Sequence, residues 1–112
     1  MVKEFRKIIL SRDETIAALE SFRRTSFQFL PPGKIVACEM KNGAPMTVGI
    51  EAMQSDKIRV TNYSLDSQKL LEPLIRFCLE NKIMLPRDSK KSATIGDDHA
   101  ALVIQMPAAD HM

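Results

Sequence analysis

The chain has 112 residues and a formal net charge of +2, which is too small to indicate a polyanionic partner by itself. Apolar residues make up 45% and charged residues 27%, values typical of a globular domain, so the composition excludes extensive disorder. No apolar run reaches the roughly 18 residues of a membrane-spanning helix. The segment 1–7 also lacks the following apolar stretch of a secretory signal, so we expect a cytoplasmic domain.

The first half of the chain predicts the order β-α-β-β. Ser11 and Glu14 form an S-x-x-E capping box, which indicates a helix start, and Asn42-Gly43 is the strongest hairpin signal in the chain. Two adjacent prolines, Pro31 and Pro32, remove backbone donors and indicate a stiff connector. The predicted elements are a strand over 4–10, a helix from Ser11 to about Arg24, a connector over 27–33, and strands over 34–40 and 46–53.

The second half predicts the same order. Its elements are a strand over 58–63, a helix capped by Ser64 or Asp66 and reaching about Lys82, a polar segment over 87–91, and strands over 92–95 and 100–106. Pro73 lies too deep for the first turn of this helix and predicts a kink or a late helix start. Pro107 ends the last strand, and 108–112 is expected to fray.

A gap-free shift of 55 residues aligns the two halves and predicts an internal β-α-β-β repeat, 4–53 and 58–106. The identities at this shift include Leu19 with Leu74, Phe22 with Phe77, Leu30 with Leu85, Pro31 with Pro86, and Val48 with Val103. The predicted fold is α+β, a two-layer sandwich in which a mostly antiparallel sheet carries two helices on one face, within a single domain over 1–107.

One face of the predicted sheet has no helix to cover it. Alternation places Ile58 and Val60 toward the core. The residues expected to point outward are Ile35, Ala37, Glu39, Thr47, Gly49, Glu51, Arg59, Thr61 and Tyr63. Such a weakly apolar open face permits dimerisation, so we expect a protein partner or self-association.

The order helix, three strands, helix over about 12–82 resembles double-stranded-RNA-binding domains and is similar to bacterial secretion chaperones. The RNA-binding family grips phosphates with a lysine-rich start of its second helix. Here that segment, 66–70, reads Asp-Ser-Gln-Lys-Leu, with one lysine and an aspartate, so no binding positions carry over from the resemblance.

A basic segment is the clearest candidate for anion or nucleic-acid contact. Arg87, Lys90 and Lys91 lie close together after the second helix, and Arg23 and Arg24 end the first helix. Lysine and arginine side chains that neutralise phosphates would give salt-dependent binding. The alternatives are a solvated loop for the first group and compensation of the helix dipole for the second.

The sequence contains no recognisable catalytic pattern. The two histidines, the Asp97-Asp98-His99 turn and the cysteines Cys38 and Cys78 do not form a metal or nucleophile motif, so we predict no catalytic residues, no metal and no cofactor. Both cysteines stand in apolar segments and are predicted to be buried free thiols.

Four apolar residues are candidates for contact with a protein partner: Phe27, Phe29, Ile35 and Tyr63. The alternative for Phe27 and Phe29 is packing over a helix end. The sequence therefore favours a non-enzymatic interaction module of bacterial style that self-associates. Nucleic-acid binding and a small enzyme with an unrecognised site are the alternatives.

Overall fold

The computed structural model describes residues 4–26 and 28–106. Predictions for Phe27 and for the tail at 108–112 lie outside these residues. The elements in chain order are β1 (Glu4–Ser11), α1 (Arg12–Arg23), β2 (Lys34–Glu39), β3 (Met46–Gln54), β4 (Lys57–Leu65), α2 (Ser67–Glu80), β5 (Lys90–Gly96) and β6 (His99–Met106).

Both helices begin at polar caps that the sequence contains. The Ser11 hydroxyl accepts from the Glu14 amide at 3.2 Å, and a Glu14 carboxylate oxygen accepts from the Ser11 amide at 2.9 Å, so the predicted capping box is confirmed. Asp66 caps α2 by accepting from the Lys69 amide at 2.9 Å. The helix continues through Pro73, so the predicted late start is wrong: the cap and the buried face of α2 outweigh the donor that proline removes.

The α+β class and the antiparallel pairing are confirmed, with the strands divided between two three-stranded sheets. The strand order is β1-β6-β5 in one sheet, called the terminal sheet, and β2-β3-β4 in the other, called the central sheet. Each half of the chain therefore places its first strand beside the last two strands of the other half. The common origin of the two halves stays a prediction.

The tightest turn of the central sheet lies between β3 and β4. Gln54 and Lys57 oppose each other across Ser55 and Asp56, whose φ angles of 50° and 66° are those of a type I′ hairpin turn. Asn42-Gly43 also forms a turn, but within a longer connection over 40–45. The short link between the two halves is therefore a hairpin within one sheet.

One hydrophobic core joins the two sheets. α1 and α2 pack against each other and against strands of both sheets, and the fully buried side chains include Leu19, Leu74, Met46 and Leu102. The Asp98 amide donates to the Met40 carbonyl at 3.0 Å, which ties the β5–β6 turn to the end of β2. The molecule is elongated, with extents of 66 × 27 × 19 Å.

Candidate functional site

The largest group of exposed apolar side chains on neighbouring strands lies at the far end of the β3–β4 hairpin. We call residues 50–61 the arm. Met53 and Ile58 oppose each other across the two strands and are 68% and 64% exposed, and the nearby Val60 is 53% exposed. Because apolar surface gains free energy when it leaves water, this face favours contact with another molecule.

The orientation of β4 is the reverse of the predicted one. Leu65, directly before the cap of α2, is buried, and Tyr63 packs against the core. The period of two then puts Ile58 and Val60 on the face away from the helices, so the predicted inward orientation of these two residues is wrong. The polar residues beside Ile58 and Val60 do not indicate from sequence alone which side chains of β4 face the core.

Gly49 lies on the outer face of the central sheet, where side chains of the two neighbouring strands bury it. A Cβ atom at Gly49 would meet Ala37, Asn62 and Val60 side chains at 3.2–3.4 Å, which shows that these residues share one face. Ala37 and Gly49 were predicted to point outward, and this orientation is confirmed.

Three of the four predicted partner-contact residues lie within the described segments, and they do not come together on one surface. Phe29 lies edge-on to Phe22 with ring centroids 4.8 Å apart, which matches the alternative of packing over the end of α1. Ile35 is 8% exposed and faces the core, so its predicted outward orientation is wrong. Tyr63 is half-buried on the helix side rather than outward, because Leu65 sets the phase of β4.

Of the five basic candidates, three have exposed side chains and two donate hydrogen bonds to carbonyl oxygens of the chain itself. Arg87, Lys90 and Arg24 are exposed. The Lys91 ammonium donates to the Pro86 carbonyl at 2.9 Å, so it closes its own loop.

Arg23 holds the connector that follows α1. Its guanidinium donates to the Glu20 carboxylate at 3.0 and 3.2 Å, to the Pro31 carbonyl at 3.1 Å, and to the Gly33 carbonyl. The side chain is only 14% exposed. Its bonds are to the protein itself, which makes Arg23 a clamp for the connector.

The groups that carry chemistry are dispersed. Cys38 and Cys78 are free and buried, as predicted, and removal from water raises the pKa of both thiols, which disfavours a reactive thiolate. The His99 ring lies 2.9 Å from the Asp97 carbonyl within the β5–β6 turn. Within 4–26 and 28–106, no three His, Cys, Asp or Glu side chains converge as ligands for a metal ion.

Neither helix of the described segments is long and apolar enough to cross a membrane. No protein-family model matches the chain, and no curated protein and no solved structure is significantly similar to it.

Proposed function

We propose that this chain is a non-enzymatic interaction module that self-associates through the arm. The observation that carries the proposal is the exposure of β4: every residue from Lys57 to Asn62 is exposed, on both faces of the strand. β2 pairs with β3 only as far as Glu51, so residues 52–59 form a two-stranded ribbon. Such a ribbon is marginally stable by itself, so a partner that covers it would stabilise it.

The apolar composition of the arm supports a protein partner. Met53, Ile58 and Val60 present methyl and thioether groups, which a polyanion or a small polar substrate would not recognise. The dispersed thiols, with their raised pKa, do not favour a reaction centre. Two free cysteines fit a reducing compartment, so we place the protein in the cytoplasm.

The test is sedimentation velocity of the chain from about 1 µM to about 500 µM, the range expected for a small interface. We expect the weight-average mass to rise toward that of a dimer. Ile58→Asp should weaken the association at least about tenfold, because it replaces an apolar side chain of the arm with a charged one that gains nothing by leaving water.

The matched control is Ile9→Asp, which changes an isoleucine of similar exposure (59%, against 64% for Ile58) on β1 of the terminal sheet. This variant should associate like the unmodified chain. A monomer at every concentration would contradict the proposal, and so would a loss of association in Ile9→Asp alone.

Nucleic-acid binding through the basic segment is the second candidate. The exposure of Arg87 and Lys90 supports it, while the bonds of Lys91 and Arg23 to carbonyl oxygens weaken it. Fluorescence anisotropy with short DNA and RNA should show salt-dependent binding that an Arg87→Ala, Lys90→Ala double variant loses. A flat titration at low salt would remove this candidate.

A further inference from the structure

The free edge of β4 offers a regular row of backbone hydrogen-bonding groups. In a two-residue hairpin the residues that flank the turn, here Gln54 and Lys57, bond each other, and bonded and non-bonded pairs then alternate along the ladder. The amide and carbonyl groups that point away from β3 are therefore those of Ile58, Val60, Asn62 and Ser64. Among residues 4–26 and 28–106, no strand pairs with this edge.

The other three sheet edges carry features that oppose pairing. β2 has a register shift between Ile35 and Ala37, and irregular edges pair poorly. β5 is two residues shorter than β4 and begins with Lys90 and Lys91.

The edge of β1 is also charged, whereas most of β4 is not. Glu4, Arg6 and Lys7 spread charge over the first half of β1. In β4 the charges stop at Arg59, and the six residues 60–65 are uncharged and follow a regular ladder with β3. β4 is therefore the edge with the least protection against strand addition.

We propose that a second copy of this chain pairs with β4 antiparallel, about a two-fold axis at Thr61, so that two central sheets form one continuous six-stranded sheet. This inference rests on the proposed self-association and specifies its geometry. Val60 then bonds the partner's Asn62, and Ile58 bonds the partner's Ser64, which satisfies the outward groups on both strands.

The strand is self-complementary in this register. All nine residues of β4 overlap, which no other position of the axis allows. Lys57 falls opposite the partner's Leu65, and Arg59 falls opposite the partner's Tyr63, where a guanidinium and an aromatic ring attract each other. An axis at Arg59 would instead place that cation against its own copy, which is destabilising.

The axis also brings the apolar side chains of the two arms onto one face. Ile58 and Val60 point away from the helices on both copies, so they lie on the same outer surface of the joined sheet. Two strands about 30 Å long bury an area at the low end of specific interfaces, so the dimer should dissociate in the micromolar range. The occupant that fits this edge is a second copy of the chain.

The test is a disulfide across the axis. Thr61 would form a non-bonded antiparallel pair with its own copy, with Cα atoms about 4.5 Å apart, within the range that a disulfide spans. Thr61→Cys should form a covalent dimer in a glutathione redox buffer, seen on a non-reducing gel. The native thiols are buried, so the unmodified chain should stay monomeric on the same gel.

Two controls fix the strand and the register. Ser64→Cys changes an exposed residue of the same strand, but the two copies of this residue would lie about 20 Å apart, too far for a disulfide. Thr94→Cys changes an exposed threonine on the edge strand β5. Thr61→Cys should cross-link at least about tenfold faster than either control, because a disulfide needs short Cα separations.

Sedimentation of the unmodified chain separates this inference from the proposed self-association. A concentration-dependent dimer with no faster cross-linking of Thr61→Cys would overturn the β4 pairing and leave self-association in place. Faster cross-linking of Ser64→Cys would overturn the register. A monomer at all concentrations would overturn both proposals.

Discussion

Gly33→Ala is expected to lower the free energy of unfolding by about 3 kcal/mol or more, through strain at a left-handed backbone and a steric clash. Gly33 has a φ of 136°, and a Cβ there would lie 2.6 Å from both the Glu51 carbonyl oxygen and the Ile50 Cγ2 atom. Because the carbonyl oxygen belongs to the backbone of β3, it cannot move aside without disturbing the central sheet. Urea denaturation followed by circular dichroism measures the change.

Gly43→Ala is the matched control for this substitution. Gly43 also has a positive φ, 81°, but nothing lies within 4 Å of its Cβ position. Backbone strain is then the one cost of the substitution, so we expect the free energy of unfolding to fall by about 1 kcal/mol. Equal losses in the two variants would show that the connector does not press against β3.

Arg23→Ala is expected to lower the free energy of unfolding by about 2–4 kcal/mol, because charge-assisted bonds to the connector disappear and their acceptors lose a partner. Arg23 joins the last turn of α1 to the Pro31 and Gly33 carbonyls. Lysine has no planar fork of donors, so Arg23→Lys should recover only part of the loss.

Arg24→Ala provides the comparison at the next residue. Arg24 is exposed, and its replacement should change the stability by no more than about 0.5 kcal/mol. If Arg23→Ala lost no more than Arg24→Ala, the clamp would contribute nothing to the fold.

Local signals predicted most of the secondary structure correctly. The capping box at Ser11 and the alternative cap at Asp66 both lie at observed helix starts, because a cap depends on residues three positions apart. The late helix start predicted from Pro73 was wrong, because that prediction counted the hydrogen bond that proline removes but not the free energy that α2 gains by burying one face. Such long-range packing is not visible in a local pattern.

Strand pairing could not be read from the sequence. β1 pairs with β6, the last strand in the chain, and no residue pattern in either strand specifies this partner. The predicted repeat aligns Val48 with Val103. The burial patterns of β3 and β6 agree better when Val48 is aligned with Leu102, since both of these side chains are fully buried. The connection before β6 has two residues, 97–98, whereas that before β3 has six, 40–45, so the 55-residue shift does not hold through these two connections. A one-residue change in alignment reverses the faces of a strand.

The exposed apolar face of the arm was not predicted either, because it also depends on long-range packing. Ile58 and Val60 are apolar and alternate with polar residues, so the pattern alone indicates a core-facing strand. The buried Leu65 fixes the opposite phase, and only the packed structure shows it. The uncharged run over 60–65 was the one sequence signal that pointed to an open edge.

The most direct measurement is amide hydrogen exchange by NMR at about 5 µM and about 500 µM, below and above the expected dissociation constant. We predict that the outward amides of Ile58, Val60, Asn62 and Ser64 exchange more slowly at the higher concentration, while the amides of β1 do not change. Identical exchange of these four amides at both concentrations, in a chain that stays folded, would contradict the pairing of β4 with a second copy.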